Sequence, residues 1–308
     1  MLGTLFDLPE GYEVALGNGG ASLLWDAIGL CLVERKAQAA SFGAFSGKAA
    51  AAIAAQPQLD SPSVRTAEPG HAIECVNEEG VDTYLYPHNE TSTGVMLPVR
   101  RWDGLTVVDG TSAAGGVDVD ISETDVYYFS PQKALASDGG LWLAILSPAA
   151  IERSERLTAE RWVPDLLNLT KALEASRKNQ TVNTPALATL NLLHAQLRWM
   201  LSEGGLAAMN ARCLANSRII YEWAEATSWA HPFAEKDYRS RTVVTVDVDL
   251  PAEEIVEICR RSGIVDISGY RGLKRNQLRI ATFPQMRDQD LRALAESLTW
   301  VGQQLDPR

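Results

Sequence analysis

Two segments of this chain, Val126–Phe129 and Leu141–Leu146, are apolar at every position, and Tyr12–Leu16, Thr83–Tyr86 and Leu105–Val108 are nearly so. Strands of this kind have no face to give to water, so both sides of the sheet they form must be covered. Helical patterns suited to that cover run over Ala21–Glu34, behind a glycine turn, and over the alanine-rich Gly47–Ala55. The arrangement predicts an α/β fold whose large domain holds a mixed, mainly parallel sheet.

The second half changes character. From Pro185 to about Thr227 the pattern is almost continuously helical, broken at Gly204–Gly205, with Leu190, Leu193, Leu197 and Leu201 three and four residues apart. It reads as a bridge between two domains. Beyond it the pattern predicts a strand at Val243–Val248, a helix at Ala252–Arg261 behind Pro251, strands near Ile264–Ile267 and Leu278–Phe283, and a final helix at Asp288–Gln304. The expected division is a large domain over 1–200 and a small C-terminal α+β domain over 201–308.

Charge and cysteine usage remove several function classes. The net charge of −11 opposes non-specific binding to nucleic acid, which needs clustered Lys and Arg. Cys31, Cys75, Cys213 and Cys259 show no CxxC spacing, so neither a metal site nor a disulfide framework is expected. No apolar run reaches the roughly 18 residues of a membrane span and no signal-peptide pattern opens the chain, so a cytoplasmic protein without a membrane partner is expected.

Lys133 is the residue with the strongest chemical signal. It lies in Ser130-Pro-Gln-Lys, between the two fully apolar runs. An apolar setting depresses a lysine's pKa and favours the neutral amine, the form that attacks an aldehyde and holds a Schiff base. Asp109 ends the run Leu105–Val108, where ligands of open α/β sheets bind. A carboxylate there can pair with a protonated pyridine nitrogen; the alternative is a cap on the turn with Gly110. Gly17-Asn-Gly-Gly-Ala-Ser joins a strand to a helix, so its amides can cradle a phosphate or simply make a tight turn. Asn89-Glu-Thr-Ser-Thr-Gly follows another strand and offers hydroxyls to a ring substituent or phosphate, or is a plain turn. Phe45 is a candidate to stack on a flat ring, or a core residue. His88 lacks a neighbouring nucleophile and reads as structural.

Two further groups lie in the second half. Thr184 and Pro185 suit the cap and first turn of the long helix, and Asn183 with Thr184 could equally meet a phosphate. Arg271, Lys274, Arg275 and Arg279 concentrate positive charge at the entry to the strand Leu278–Phe283. A guanidinium on a strand can grip a carboxylate with two parallel bonds, and a solvated basic loop is the alternative.

These residues together resemble the phosphoserine aminotransferases, in their actinobacterial form, within fold type I of the pyridoxal-phosphate (PLP) dependent transferases. The likeness runs from Leu5 to the C-terminus. It is carried by Gly17-Asn-Gly-Gly, His88-Asn-Glu-Thr-Ser-Thr-Gly, Val108-Asp-Gly-Thr-Ser, Ser130-Pro-Gln-Lys, Ala136-Ser-Asp-Gly-Gly, Lys178-Asn-Gln-Thr-Val-Asn-Thr-Pro and Arg275-Asn-Gln-Leu-Arg. The resemblance implies that Lys133 holds PLP as a Schiff base, that Asp109 partners the pyridine nitrogen and that Phe45 stacks on the ring. Gly20, Ala21, Thr91 and Gln132 would complete the cofactor site. It further implies a homodimer with shared active sites, in which Asn183 and Thr184 reach the cofactor phosphate of the neighbouring subunit. Arg279, with Arg275 and Arg271, would bind substrate. The implied substrates are L-glutamate and 3-phosphohydroxypyruvate, giving phosphoserine on the route to serine.

The family's usual N-terminal segment, with a Gly-Ser-Gly-Pro-type strand and a His-Arg pair for substrate, precedes the point that Met1 matches. Either the start codon is misassigned or the protein is shortened with an incomplete substrate site; the residues matching the cofactor site are present in both cases. Competing readings are a serine-glyoxylate-type or desulfurase-like relative and a PLP-binding paralogue of low activity. A Rossmann dehydrogenase would need glycine at position 22, which is Ser22.

Overall fold

The computed structural model describes residues 1–305. In chain order it forms α1 (Leu2–Leu5), β1 (Glu13–Asn18), α2 (Ala21–Cys31), β2 (Ala37–Ser41), α3 (Ala44–Ala54), β3 (Ser63–Thr66), β4 (Thr83–Pro87), β5 (Asn89–Glu90), β6 (Val95–Met96) and β7 (Leu105–Asp109). There follow β8 (Val126–Phe129), β9 (Leu141–Leu146), α4 (Pro148–Glu160), α5 (Leu169–Arg177), α6 (Leu187–Ser202) and α7 (Gly205–Ala226). The chain then adds β10 (Ala230–Pro232), β11 (Val243–Val248), α8 (Ala252–Arg261), β12 (Gln277–Ala281) and α9 (Asp288–Leu305).

Among the described residues a seven-stranded sheet runs in the order β1-β9-β8-β7-β4-β2-β3. β8, β7, β4, β2 and β3 are parallel, and β9 is antiparallel to both of its neighbours. The consecutive apolar residues are divided between two cores. Val126, Tyr128, Trp142, Ala144 and Leu146 face α2–α5, while Tyr127, Phe129, Leu143 and Ile145 face α1, α6 and the start of α7. Each of these larger side chains stabilises the fold by about 2 kcal/mol through removal from water. A three-stranded sheet, β10-β11-β12, packs with α8, α9 and the end of α7 around a third core. Met209 of α7 belongs to the second core and Ile220, Tyr221, Trp223 and Ala224 to the third, so this helix spans both bodies.

Several boundaries depart from expectation. The segment Ile264–Ile267 is not a strand: Asp266 takes φ +62°, a left-handed turn that interrupts extended pairing, and an isolated bridge joins Ser268 to Leu278. α2 stops at Cys31 because the Asp82 carboxylate accepts the amides of Glu34, Arg35 and Lys36 and draws the chain out of the helix. Thr184 does not cap the long helix. α6 begins at Leu187, and the Asn18 side chain instead donates to the Thr184 carbonyl and accepts from the Ala186 amide, holding residues 184–186 outside the helix. Among the described residues no helix is long and apolar enough to cross a membrane, and no group of His, Cys, Asp and Glu could hold a metal ion.

Candidate active site

The candidate residues of the first half leave the sheet at one edge. Gly20 and Ala21 follow β1, Phe45 follows β2, Thr91 lies beyond β4 in the turn after the short β5, Asp109 ends β7, and Gln132 with Lys133 follows β8. These are the C-terminal ends of strands that point the same way, where side chains and helix N-termini converge on a ligand.

Lys133 sits in the turn between β8 and β9, with its carbonyl accepting from Ala136 N and Gln285 Nε2. Burial lowers the pKa of its amine, and the nearby positive charge of Arg279 lowers it further. No carboxylate reaches ion-pair distance of it among the described residues. Asp109 shows the opposite imbalance. Its Oδ1 accepts the Thr111 amide at 2.9 Å, and no cation pairs with it among the described residues. Burial raises its pKa, the hydrogen bond from the Thr111 amide opposes that, and the charge of Glu90 adds to the rise. Tyr128 Oη and Thr111 Oγ1 are buried without a hydrogen-bond partner among the described residues. A cavity of about 10 Å³, lined in part by Ser46, Asp109 and Tyr128, lies against the carboxylate.

The glycine loop is shaped by backbone needs. Gly19 adopts φ +116°, and a Cβ there would stand 2.9 Å from Leu23. Gly20 takes the N-cap position of α2, but the Ala21 amide is already bound by Ser130 Oγ at 2.7 Å. Phe45 opens α3 half-buried, with its ring 5.5 Å from that of Tyr270. Thr91 is buried in the turn joining β5 to β6, and Gln132 is exposed. Asn183 and Thr184 are exposed as well.

The basic residues separate. Arg279 lies in the middle of β12, opposite Thr245, and burial lowers its pKa while Tyr270 opposes the change. Its guanidinium lies 5.6 Å from the Tyr270 ring centre and meets no carboxylate among the described residues. Arg271 is exposed and lines a cavity of about 550 Å³ with Arg279. Arg275 is held elsewhere: its Nε donates to Asp247 Oδ1 at 3.1 Å and its guanidinium covers the Phe233 ring at 4.4 Å. A larger cavity of about 730 Å³ lies beside α8 and residues 268–277, away from Lys133. The unpaired lysine and carboxylate, rather than cavity size, locate the chemistry.

His88 is structural, as its surroundings in the sequence suggest. It is buried, its Nδ1 lies 3.1 Å from Tyr127 Oη, and burial pushes its pKa down to about 3. Glu90 carried no signal of its own in the sequence and lies buried beside the candidate residues. It is 1% exposed, and its carboxylate accepts from Ser46 N and Oγ, both at 2.8 Å, and from Ser92 Oγ at 2.7 Å. The one hint was its place between Asn89 and Thr91 in a polar strand-end cluster.

Comparison with known proteins gives a consistent result. Residues 69–283 match the family model for aminotransferase class-V. The chain is 49% identical over 308 residues to a phosphoserine aminotransferase of Corynebacterium glutamicum, covering 97% of this chain and 82% of that protein. The structure is similar to that of a phosphoserine aminotransferase from Cytophaga hutchinsonii, with TM-score 0.90 and 26% identity over 97% of this chain and 85% of the other. A PLP-bound phosphoserine aminotransferase from Trichomonas vaginalis shares the fold at TM-score 0.81 and 20% identity, over 97% and 85% of the two chains.

Proposed function

Because the chain belongs to the class V aminotransferases, and among them to the phosphoserine aminotransferases, we propose that it moves an amino group from L-glutamate to 3-phosphohydroxypyruvate, forming O-phospho-L-serine and 2-oxoglutarate. The observation that carries this reading is the pair of unmatched charges at adjacent strand ends: a half-buried amine at Lys133 whose pKa is lowered and a half-buried carboxylate at Asp109 whose pKa is raised.

Those residues fit PLP. Asp109 suits a protonated ring nitrogen, and the unpartnered hydroxyls of Tyr128 and Thr111 are the polar groups beside it. Phe45 would lie against the ring, Thr91 and Gln132 would meet its substituents, and Gly20 with Ala21 would face the phosphate. Bound there, PLP supplies an aldehyde for a primary amine and an electron-withdrawing ring. The lowered pKa of Lys133 makes its neutral amine available to take the proton from the substrate α-carbon and to return it. Arg279, half-buried and without a carboxylate, would bind the substrate α-carboxylate through two hydrogen bonds, orienting that carbon toward Lys133. Arg271 adds positive charge at the mouth for a phosphorylated substrate; Arg275, committed to Asp247, would act only indirectly.

A homodimer in the cytoplasm goes with this reading. The exposed Asn183 and Thr184 would serve the neighbouring subunit's site, and residues 1–200 and 201–308 would act as its large and small domains. Mixing the purified protein with PLP should give an absorbance band at about 410 nm that shifts when L-glutamate is added. A band indifferent to glutamate would leave a cofactor-binding protein without this activity.

A further inference from the structure

Glu90 ends β5 and is surrounded by neutral donors. Ser46 N and Oγ donate at 2.8 Å, Ser92 N at 3.1 Å, Ser92 Oγ at 2.7 Å and the Phe45 amide at 3.4 Å. Ser92 Oγ in turn accepts the Ala44 amide at 2.9 Å. The first amides of α3 are therefore bound by side chains of the β5–β6 turn, not by a residue of the helix's own entry. That entry is Gly43, which has no capping side chain, and a Cβ there would fall 2.3 Å from Glu90 Cγ. A carboxylate at the positive end of a helix is favourable, and here one that belongs to another strand supplies it.

An ordinary cap at position 43 would have stabilised α3 alone. The cross-strand cap does something more specific, because it joins the segment carrying Phe45 to the turn carrying Thr91. Resting on the PLP reading above, we infer that Glu90 is a positioning residue that fixes the segment carrying Phe45 to the turn carrying Thr91, and so holds in one arrangement the two groups that would meet the cofactor. Gln at this position keeps the size but turns an NH2 donor toward other donors, so the joint should loosen.

The test uses full-length protein freed of cofactor: PLP is titrated by absorbance, the visible circular dichroism of bound PLP reports ring orientation, and thermal melting is followed without PLP. Glu90→Gln should bind PLP about tenfold more weakly, with reduced dichroism per bound cofactor. Ser92→Ala should change both readouts in the same direction by less, and it decides the matter if Glu90→Gln does not fold. Lower melting with wild-type affinity and dichroism makes Glu90 a structural cap and overturns the inference. Failure of the wild-type chain to bind PLP overturns the functional reading itself, and this inference with it.

Discussion

Two groups of candidate residues, the strand-end set that we call the floor and the exposed set that we call the rim, are built by different means. Lys133 and Asp109 lie at the ends of central-sheet strands, Phe45 in the first turn of the helix after β2 and Thr91 in the turn joining β5 to β6, tied to cores that the whole large body maintains. Asn183, Thr184 and Arg271 are exposed, on segments outside any strand. Strand ends preorganise a group before a ligand arrives, whereas rim residues acquire partners from what binds or docks. Substitutions at the floor should therefore disrupt chemistry, and those at the rim chiefly affinity.

The largest effect is expected at Lys133. Lys133→Ala should lower the glutamate half-reaction by about ten-thousandfold or more, followed by stopped-flow absorbance. A tenfold loss would mean that another group moves the proton. Asp109→Asn should cost about a hundredfold or more in kcat while glutamate KM changes little, since the charge opposite the ring nitrogen is lost and the shape kept.

The two arginines sharpen the comparison within one loop and strand. Arg279→Lys should raise glutamate KM by about tenfold, whereas Arg275→Lys should change it by about twofold at most. Equal effects would erase the distinction drawn from Asp247. Arg279→Gln carries a second consequence. Removing a positive neighbour favours protonated Lys133, so in cofactor-free protein the pH at which this amine becomes reactive toward an acylating reagent should move up toward 10.5. At the rim, Thr184→Ala should weaken PLP binding by about threefold, with the loss rescued in mixed dimers by a wild-type subunit. A monomer retaining full PLP affinity would show that the rim needs no second chain.

Legibility in the sequence followed burial. Val126–Phe129, Leu141–Leu146, Val243–Val248 and Ala252–Arg261 are found where their patterns place them, because their periodicity reflects how many faces are covered. Ala37–Ser41 carries no such signal, yet it forms β2, held by parallel pairing to β3 and β4 on its two sides. Tertiary pairing overrides the weak strand propensity of alanine. The helices α4 and α5 lie outside the patterns drawn from the sequence. For α4 the local cues were present in Ser147, whose side chain accepts the Ala150 amide, and in Pro148 at the first turn.

The sequence by itself determined the layers of this protein and the strand-end places of Lys133 and Asp109, because apolar runs and the loops between them are local properties. Only the tertiary structure decided which charges remain unmatched. Arg275 lost its freedom to Asp247, 28 positions away, while Arg279 kept its own. Glu90 became the cap of a helix that begins more than 40 residues earlier. Partnerships at such separations depend on how strands and helices are brought together in space, and periodicity along the chain carries no record of them.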